Sequence, residues 1–547
     1  MRSKQSTRPF HSFLLFLLPC LLCFPWSVSA ADAKPNFVII LADDMGFSDV
    51  GCYGGEIATP NLDKLAANGL RFTQFYNTAR CWPTRSCIMS GYYAQQIRMD
   101  PPRGRLPAWA QLLPHRLKPL GYRSYHAGKW HVLGAPKPVA DGGFDHSYWF
   151  QDWDRYFSPV QHWEDDVQAP PVKPDSGYYA TTAFADRSIG FLKDHAANHA
   201  KQPFFLYLAF ILPHFPLHAL QEDIAKYRDR YLEGWDVVRE RRWRRLREMG
   251  IVNCDLALRD EKLSPRYFKA DLLEKIGPGE SRYAVAWQSL TDEQRRFQAT
   301  KMAIHAAMVD RMDREIGRVV EQLRAMGALE NTVIFFLSDN GADATLMVRG
   351  DGHDRAAAPG SWQTFLCVGP GWASASNSPF RRQKVWVNEG GVSTPLIAHW
   401  PKGIAARGEF RRDVGHVIDF APTLLDLAGG KAALPAGAPP LPGKSLVPAF
   451  ARDGAVEREF LFFNHEGNRA MRMGDWKLVS AREDEDTWEL FDLSTDRGER
   501  KNLIKEQPER ARVMEAKWLA LETEFRRQAG PAEPGKPGKP GKAKSKR

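Results

Sequence analysis

Three short apolar runs limit what this chain can become. Asn36–Leu41 (NFVIIL), Phe204–Phe210 (FFLYLAF) and Thr332–Leu337 (TVIFFL) carry almost no polar residue at either alternating position. A strand with one wet face would alternate, so continuous runs of this length read as strands buried on both faces, the habit of a parallel sheet in an α/β protein. Each run stops abruptly at polar residues: Ala42-Asp43-Asp44, Leu212-Pro213-His214-Phe215-Pro216 and Ser338-Asp339-Asn340-Gly341. A fourth strand, Tyr122–His126, leads into Gly128-Lys129-Trp130-His131. In an open α/β sheet ligands sit beyond the carboxyl ends of the strands, so chemistry is expected at these four ends.

The rest of the chain fits around such a sheet. Thr291–Met326 reads as a long amphipathic helix crossing back to it. Pro435–Pro442 is a Pro/Gly/Ala-rich loop near a domain border. Phe460–Val479 and Trp488–Leu493 read as antiparallel strands and Pro508–Gln528 as a helix. The expected organisation is a signal peptide at 1–30, a catalytic domain at 35–450, a small α+β domain at 451–528 and a disordered basic tail at 529–547.

The net charge of +10 sits mostly at the two ends. Arg2, Lys4 and Arg8 stand before the apolar run Phe13–Phe24, and Val28-Ser29-Ala30 follows it, as in a secretory signal cut after Ala30. Six cations crowd the PGKPGKPGKAKSKR tail, a composition that cannot bury a core. The remainder is nearly neutral, which gives no ground for nucleic-acid binding. No later stretch is apolar enough to span a membrane, so no stable membrane insertion is expected after signal cleavage and the mature protein is expected to be exported, periplasmic or secreted. After loss of Cys20 and Cys23 five cysteines remain, Cys52, Cys81, Cys87, Cys254 and Cys367, an odd number that asks for one thiol with a task.

Two adjacent acids after a buried strand are costly unless a cation neutralises them. Asp43, Asp44, Asp339 and Asn340 together form an all-oxygen donor set, which selects a hard cation such as Ca²⁺ or Mg²⁺ over Zn²⁺. Taken singly, Asp339-Asn340 would be read as a turn. Lys129 and His131 are two apart and point the same way in extended chain, a Lys for anion charge and a His for proton transfer. The segment Cys81-Trp82-Pro83-Thr84-Arg85, continuing Ser86-Cys87-Ile88-Met89-Ser90-Gly91, suits a turn opening a helix, with Pro83 at its first position and Arg85 one turn from Cys81. An anion would be drawn there.

That C-x-P-T-R segment resembles the signature of type I sulfatases, members of the alkaline phosphatase superfamily, and the likeness extends over residues 35–525. Asp43-Asp44 and Ser338-Asp339-Asn340-Gly341 resemble the family's metal motifs, Gly128-Lys129-Trp130-His131 and Pro213-His214-Phe215-Pro216 its active-site motifs, and Tyr231-Leu232-Glu233-Gly234-Trp235-Asp236 a segment of bacterial arylsulfatases. Lys384-Val385-Trp386-Val387-Asn388-Glu389-Gly390-Gly391 resembles the stretch bearing the family's lysine; Asn388 replaces an aromatic there, and Arg381 and Arg382 compete with Lys384. The resemblance implies a large mixed sheet flanked by helices plus a smaller C-terminal antiparallel sheet. It implies oxidation of Cys81 to formylglycine by a maturation enzyme, Ca²⁺ rather than Mg²⁺ on Asp43, Asp44, Asp339, Asn340 and the group made from Cys81, and catalysis by Arg85, Lys129, His131, His214 and Lys384. The substrate would be a small-molecule or carbohydrate sulfate ester. His126, Asp310 and Asp313 read as structural, and His218 as outside the first ring of residues. Asp351–Asp354 could touch substrate, with position as the sole warrant. Competing readings are a phosphonate monoester or phosphodiester hydrolase on the same fold, and a binding protein with unmodified Cys81.

Overall fold

The double-sided apolar runs become the middle of an eleven-stranded mixed sheet. In chain order its strands are β1 (Asn36–Asp43), β2 (Leu70–Tyr76), β3 (Arg123–Gly128), β4 (His146–Phe150), β5 (His162–Glu164), β6 (Val167–Gln168), β7 (Phe204–Pro213), β8 (Thr332–Ser338), β9 (Ser393–His399), β10 (Glu409–Arg411) and β11 (Gly415–His416). They lie in the order β10-β2-β9-β8-β1-β7-β3-β4-β5-β6, with β11 also on β2. This computed structural model describes residues 34–430 and 434–531; the expected signal segment and the basic tail beyond Pro531 lie outside the described residues.

Strands β8, β1, β7, β3 and β4 run parallel, while β9 runs antiparallel to both β8 and β2. The carboxyl ends of β1, β2, β3, β7 and β8 and the amino end of β9 therefore share one edge. Register keeps them level: Ala42 lies opposite Ser338, Asp43 opposite Pro213, Gly128 opposite Ala209 and Tyr76 opposite Ser393. Gly128 is required here, because its φ is +117° and an added Cβ would lie 1.8 Å from the Ala209 carbonyl oxygen.

Alternate residues of β1 feed two cores. Val38 and Ile40 pack with Met302, Ile304 and Met308 of the helix Asp292–Ala325. Phe37, Ile39 and Leu41 pack on the other side with Phe420, Leu424 and Leu113. All are fully buried, and each such side chain contributes roughly 1.5–3 kcal/mol. The long helix starts where a capping box closes it: the Gln294 N–H donates to the Thr291 hydroxyl and the Thr291 N–H to the Gln294 side chain.

A four-stranded antiparallel sheet follows, β12 (Leu461–His465), β13 (Asn468–Met473), β14 (Trp476–Ser480) and β15 (Trp488–Asp492), covered by the helix Pro508–Ala529. Its Phe462, Met471 and Leu478, with Trp518 of that helix, belong to the same core as Ile39 and Leu41.

The charged stretch Gln221–Gly250, which reads in sequence as helical with Arg239–Arg247 as a solvated face, is instead two helices, Gln221–Ala225 and Trp235–Glu248. Gly234 breaks them at φ +91°, where a Cβ would collide with the Trp287 indole at 2.3 Å. The Arg239–Arg247 run is also no simple solvated face, since Arg242 is fully buried on Asp49 (2.7 Å) and Glu56 (2.8 Å). Cys52, Cys81, Cys87, Cys254 and Cys367 are all buried and unpaired. No described helix is long and apolar enough to cross a membrane.

Candidate active site

The turn after β2 sets the cysteine. Asn77 anchors it, donating its N–H to the Val392 carbonyl (2.9 Å) and accepting the Ala79 N–H (3.0 Å). Thr84 closes it from within: its hydroxyl accepts the Thr78 N–H at 3.1 Å, and its own N–H donates to the Arg80 carbonyl at 3.1 Å. Cys81 is the first residue of the helix Cys81–Ser90, so Pro83 is third rather than first. It still lies in the opening turn, where a missing N–H costs nothing. Gly91 ends the helix at φ +79°.

Four oxygen-bearing side chains meet beside it, all nearly inaccessible to solvent. Asn340 donates its side-chain amide to Asp44 (2.6 Å), and the Asp44 N–H donates to Asp339 (3.3 Å). Arg85 bridges the remaining pair, donating Nε and Nη2 to Asp339 at 3.0 and 2.8 Å with Nη2 3.5 Å from Asp43. Its Nη1 donates to the Lys129 carbonyl (2.8 Å). The Lys129 ammonium sits on Asp43 (2.5 Å), and the Lys384 ammonium on Asp44 (2.6 Å) and Asp343 (3.2 Å). Cys81 lies within electrostatic range of Arg80, Arg85 and Lys384. Burial works against the Lys384 charge, but Asp343 and Asp44 outweigh it and hold the ammonium above its ordinary range.

The loops are stitched to one another. Val385 N–H donates to the Ala79 carbonyl (2.8 Å) and Lys384 N–H to the Ala342 carbonyl (3.1 Å). The final glycine of Ser338-Asp339-Asn340-Gly341 has no room for a side chain, since a Cβ would lie 1.9 Å from the Gly390 carbonyl oxygen. Asp44, Ala79, His131, Arg382 and Val385 all have positive φ, so left-handed backbone at non-glycine residues gathers around this edge.

Two imidazoles complete the arrangement. His214 donates its Nδ1–H to the Phe215 carbonyl (2.5 Å) and places Nε2 3.7 Å from Asp44. The Tyr156 hydroxyl pins that strand end on the carbonyls of Ile211 (2.7 Å) and His214 (2.6 Å). The ring atoms of His214 and the carboxylates of Asp43 and Asp44 lie close enough to share one ion. The His131 ring lies 4.2 Å from that of Trp153, and its Nδ1 is buried without a partner. Burial first, then the charges of Lys129 and Arg85, hold His131 well below its ordinary pKa. His214 is lowered too, by burial and then by Lys129, with Asp43 opposing.

Other candidates fall elsewhere. His126 bonds Ser147 (2.9 Å) in the core, and burial followed by the Arg85 charge pushes its pKa down to about 3. His218 bonds the Thr364 carbonyl (2.7 Å). Asp310 accepts the Tyr227 hydroxyl, and Asp313 accepts the N–H groups of Asn61 and Leu62. Arg381 pairs with Glu489 and Arg382 with Asp484, so Lys384 alone of the three meets the carboxylates. Asp351 pairs with Arg155, and His353 accepts the Phe365 N–H. The sequence reading missed Asp343, Trp153, whose ring lies 4.4 Å from the Lys129 ammonium, and Tyr207, buried within range of Arg85 and Asp339. Asp343, four residues past Asp339, carried a faint signal; the other two carried none.

The sulfatase family model matches residues 35–430, and a model described as N-sulphoglucosamine sulphohydrolase, C-terminal, matches residues 381–526. An uncharacterised sulfatase of Schizosaccharomyces pombe is 31% identical over 90% of this chain and 94% of its own. The arylsulfatase of Klebsiella aerogenes is 31% identical over 73% of this chain and 88% of its own. The solved structure of Ps i-CgsB in complex with k-i-k-neocarrahexaose is similar in fold, with a TM-score of 0.62 at 23% identity, covering 91% of this chain and 94% of that one.

Proposed function

The chain belongs to the sulfatase family and hydrolyses sulfate esters, and from that premise we propose how its own residues divide the work. A divalent cation would be held by Asp43, Asp44, Asp339 and Asn340. Asp43 Oδ1 and Asn340 Oδ1 support this, being buried oxygens with no hydrogen-bond partner. Three carboxylates and an amide oxygen suit Ca²⁺, with Mg²⁺ as the alternative.

Charge is the observation that carries the reading. Arg85, Lys129 and Lys384 face Asp43, Asp44, Asp339 and Asp343, one positive charge short of balance. A divalent ion overshoots by one, and a singly charged sulfate monoester restores neutrality in a site where unmatched charge is costly.

When present, the ion supplies Lewis-acid stabilisation, and formylglycine made from Cys81 supplies a hydrated aldehyde with one hydroxyl for attack and one for release. The other steps belong to the chain. Arg85, Lys129 and Lys384 hold the sulfate oxygens and offset charge developing on them. Asp339 takes the proton of the attacking hydroxyl. His214, its ring fixed through Nδ1–H, gives an Nε2 proton to the leaving oxygen; the negative ester offsets Lys129 and Lys384 and favours the charged ring. His131, held neutral, takes the second proton as sulfate departs.

The substrate is an aryl or carbohydrate sulfate, in keeping with the Klebsiella arylsulfatase and with the carbohydrate complex of Ps i-CgsB. Residues 1–30 direct export to the periplasm or the medium, and a maturation enzyme acts on Cys81. The test is kcat/KM for 4-nitrophenyl sulfate against bis-4-nitrophenyl phosphate in matured protein. Sulfate is expected to be preferred, and a preference for the diester would overturn the assignment.

A further inference from the structure

Every cation that meets the carboxylates of the site has a partner, and so does Arg266 nearby, which sits on Glu466 at 3.0 Å. Arg80, the residue before Cys81, has none. Among the described residues its side chain makes no hydrogen bond and no ion pair, and its Nε is buried without an acceptor. It is held by ring faces instead. The guanidinium carbon lies 5.1 Å from the Trp82 ring centroid and 6.0 Å from that of Tyr267. Both rings are fixed: the Trp82 indole N–H donates to the Met99 carbonyl (2.9 Å), and the Tyr267 hydroxyl lies on Glu466 (3.2 Å). Tyr267 has φ +62°, uncommon for a bulky residue, and its ring is half exposed.

Such a clamp positions a guanidinium without using its five donors. The neighbouring acids are occupied, Asp343 by Lys384 and Glu466 by Arg266 and Tyr267. Arg80 also stands outside the charge balance that one sulfate ester completes. A planar fork with free donors recognises a carboxylate or sulfate in bidentate fashion. Its place beside Cys81 puts that second oxyanion on the same molecule as the ester being cleaved.

We propose that Arg80, clamped between Trp82 and Tyr267, is a specificity-determining residue that binds a second anionic group, a carboxylate or a further sulfate, on the substrate. The proposal rests on the sulfatase reading above. Its test compares kcat/KM for 4-nitrophenyl sulfate and for the same ester bearing a carboxylate ortho to the sulfate, in the unaltered enzyme and in Arg80→Gln. The ratio of carboxylated to parent probe is expected to fall about tenfold or more in the variant. Tyr267→Ala, at a half-exposed ring, removes one face of the clamp should Arg80→Gln not fold, and the same ratio is expected to fall severalfold. Equal losses on both probes would assign Arg80 to the cleaved sulfate, and an unchanged ratio would leave it no role in selection; either overturns the proposal. Turnover of 4-nitrophenyl sulfate by the unaltered enzyme reads the parent assignment separately. Calorimetric binding of both probes in a Cys81→Ala background reads Arg80 without turnover, with the same tenfold shift in the ratio of Kd values expected and no shift overturning it.

Discussion

At the scale of single residues, the site is a set of buried charges that hold one another in place. Removing one exposes another. Lys384→Ala leaves Asp44 and Asp343 without their ammonium and takes a cation from the transferring group, so kcat/KM on an aryl sulfate is expected to fall by about 10²–10³. Steady-state kinetics checks this, and a change in KM alone would assign Lys384 to ground-state binding. His131 is depressed chiefly by burial, and Trp153 covers its ring. Its basic form therefore persists below the ordinary imidazole pKa of about 6.5, and the acid limb of kcat/KM is expected below that value. Trp153→Ala admits water to the ring and is expected to move the limb upward. A limb unmoved by the substitution would give the proton transfer to another group.

At the scale of elements, the active edge depends on a second layer that carries no chemistry. Glu389 receives Lys477 at 3.0 Å, the Tyr76 hydroxyl at 3.0 Å and Arg497 at 3.1 Å, tying β2, β14 and the Lys384 loop together in a buried network. Glu389→Gln leaves Arg497 undercompensated and Lys477 with Glu499 alone (2.9 Å), and unfolding free energy is expected to drop by about 3–5 kcal/mol, read from denaturant midpoints. A drop below roughly 1 kcal/mol would show that water or rearrangement takes up the charge. The same layer explains what could be read beforehand. Strands β1, β7 and β8 announced themselves because burial on both faces leaves an unbroken apolar run. Strands β2 and β9 did not, because Arg71, Gln74 and Thr394 interrupt them and their place is decided by partners far away in sequence. That Cys81, the paired acids and Lys129–His131 would meet at one edge was legible because each sits in a short fixed-spacing motif, the acids and Lys129–His131 at strand ends and Cys81 at the helix start after β2. Trp153 and Asp343 lie in loops whose shape follows from packing, and Arg80 is defined by what it lacks, which no spacing records.

For the whole molecule, the buried titratable groups make stability depend on pH. His126 is held at about 3, and His218 and His399 at about 4, each chiefly by burial. These folded-state values lie below the unfolded value near 6.5, so the unfolded chain binds more protons once the pH drops below about 6.5. Stability is expected to be whole above that pH and to decline toward 4. Glu56 and Glu389, held at about 2 against burial by Arg242 and by Lys477 with Arg497, add to the decline below about 4.5. Thermal unfolding across pH checks this, and a flat profile from 7 to 4 would contradict it. Chelation is expected to abolish sulfate ester hydrolysis and lower the melting temperature, with Ca²⁺ restoring both. The most direct measurement is peptide mass spectrometry across Cys81 in active protein. The expected result is a peptide lighter by about 18 Da, sulfur lost and oxygen gained as thiol becomes aldehyde. Full sulfatase activity from protein whose Cys81 peptide carries only the unmodified thiol would contradict the account.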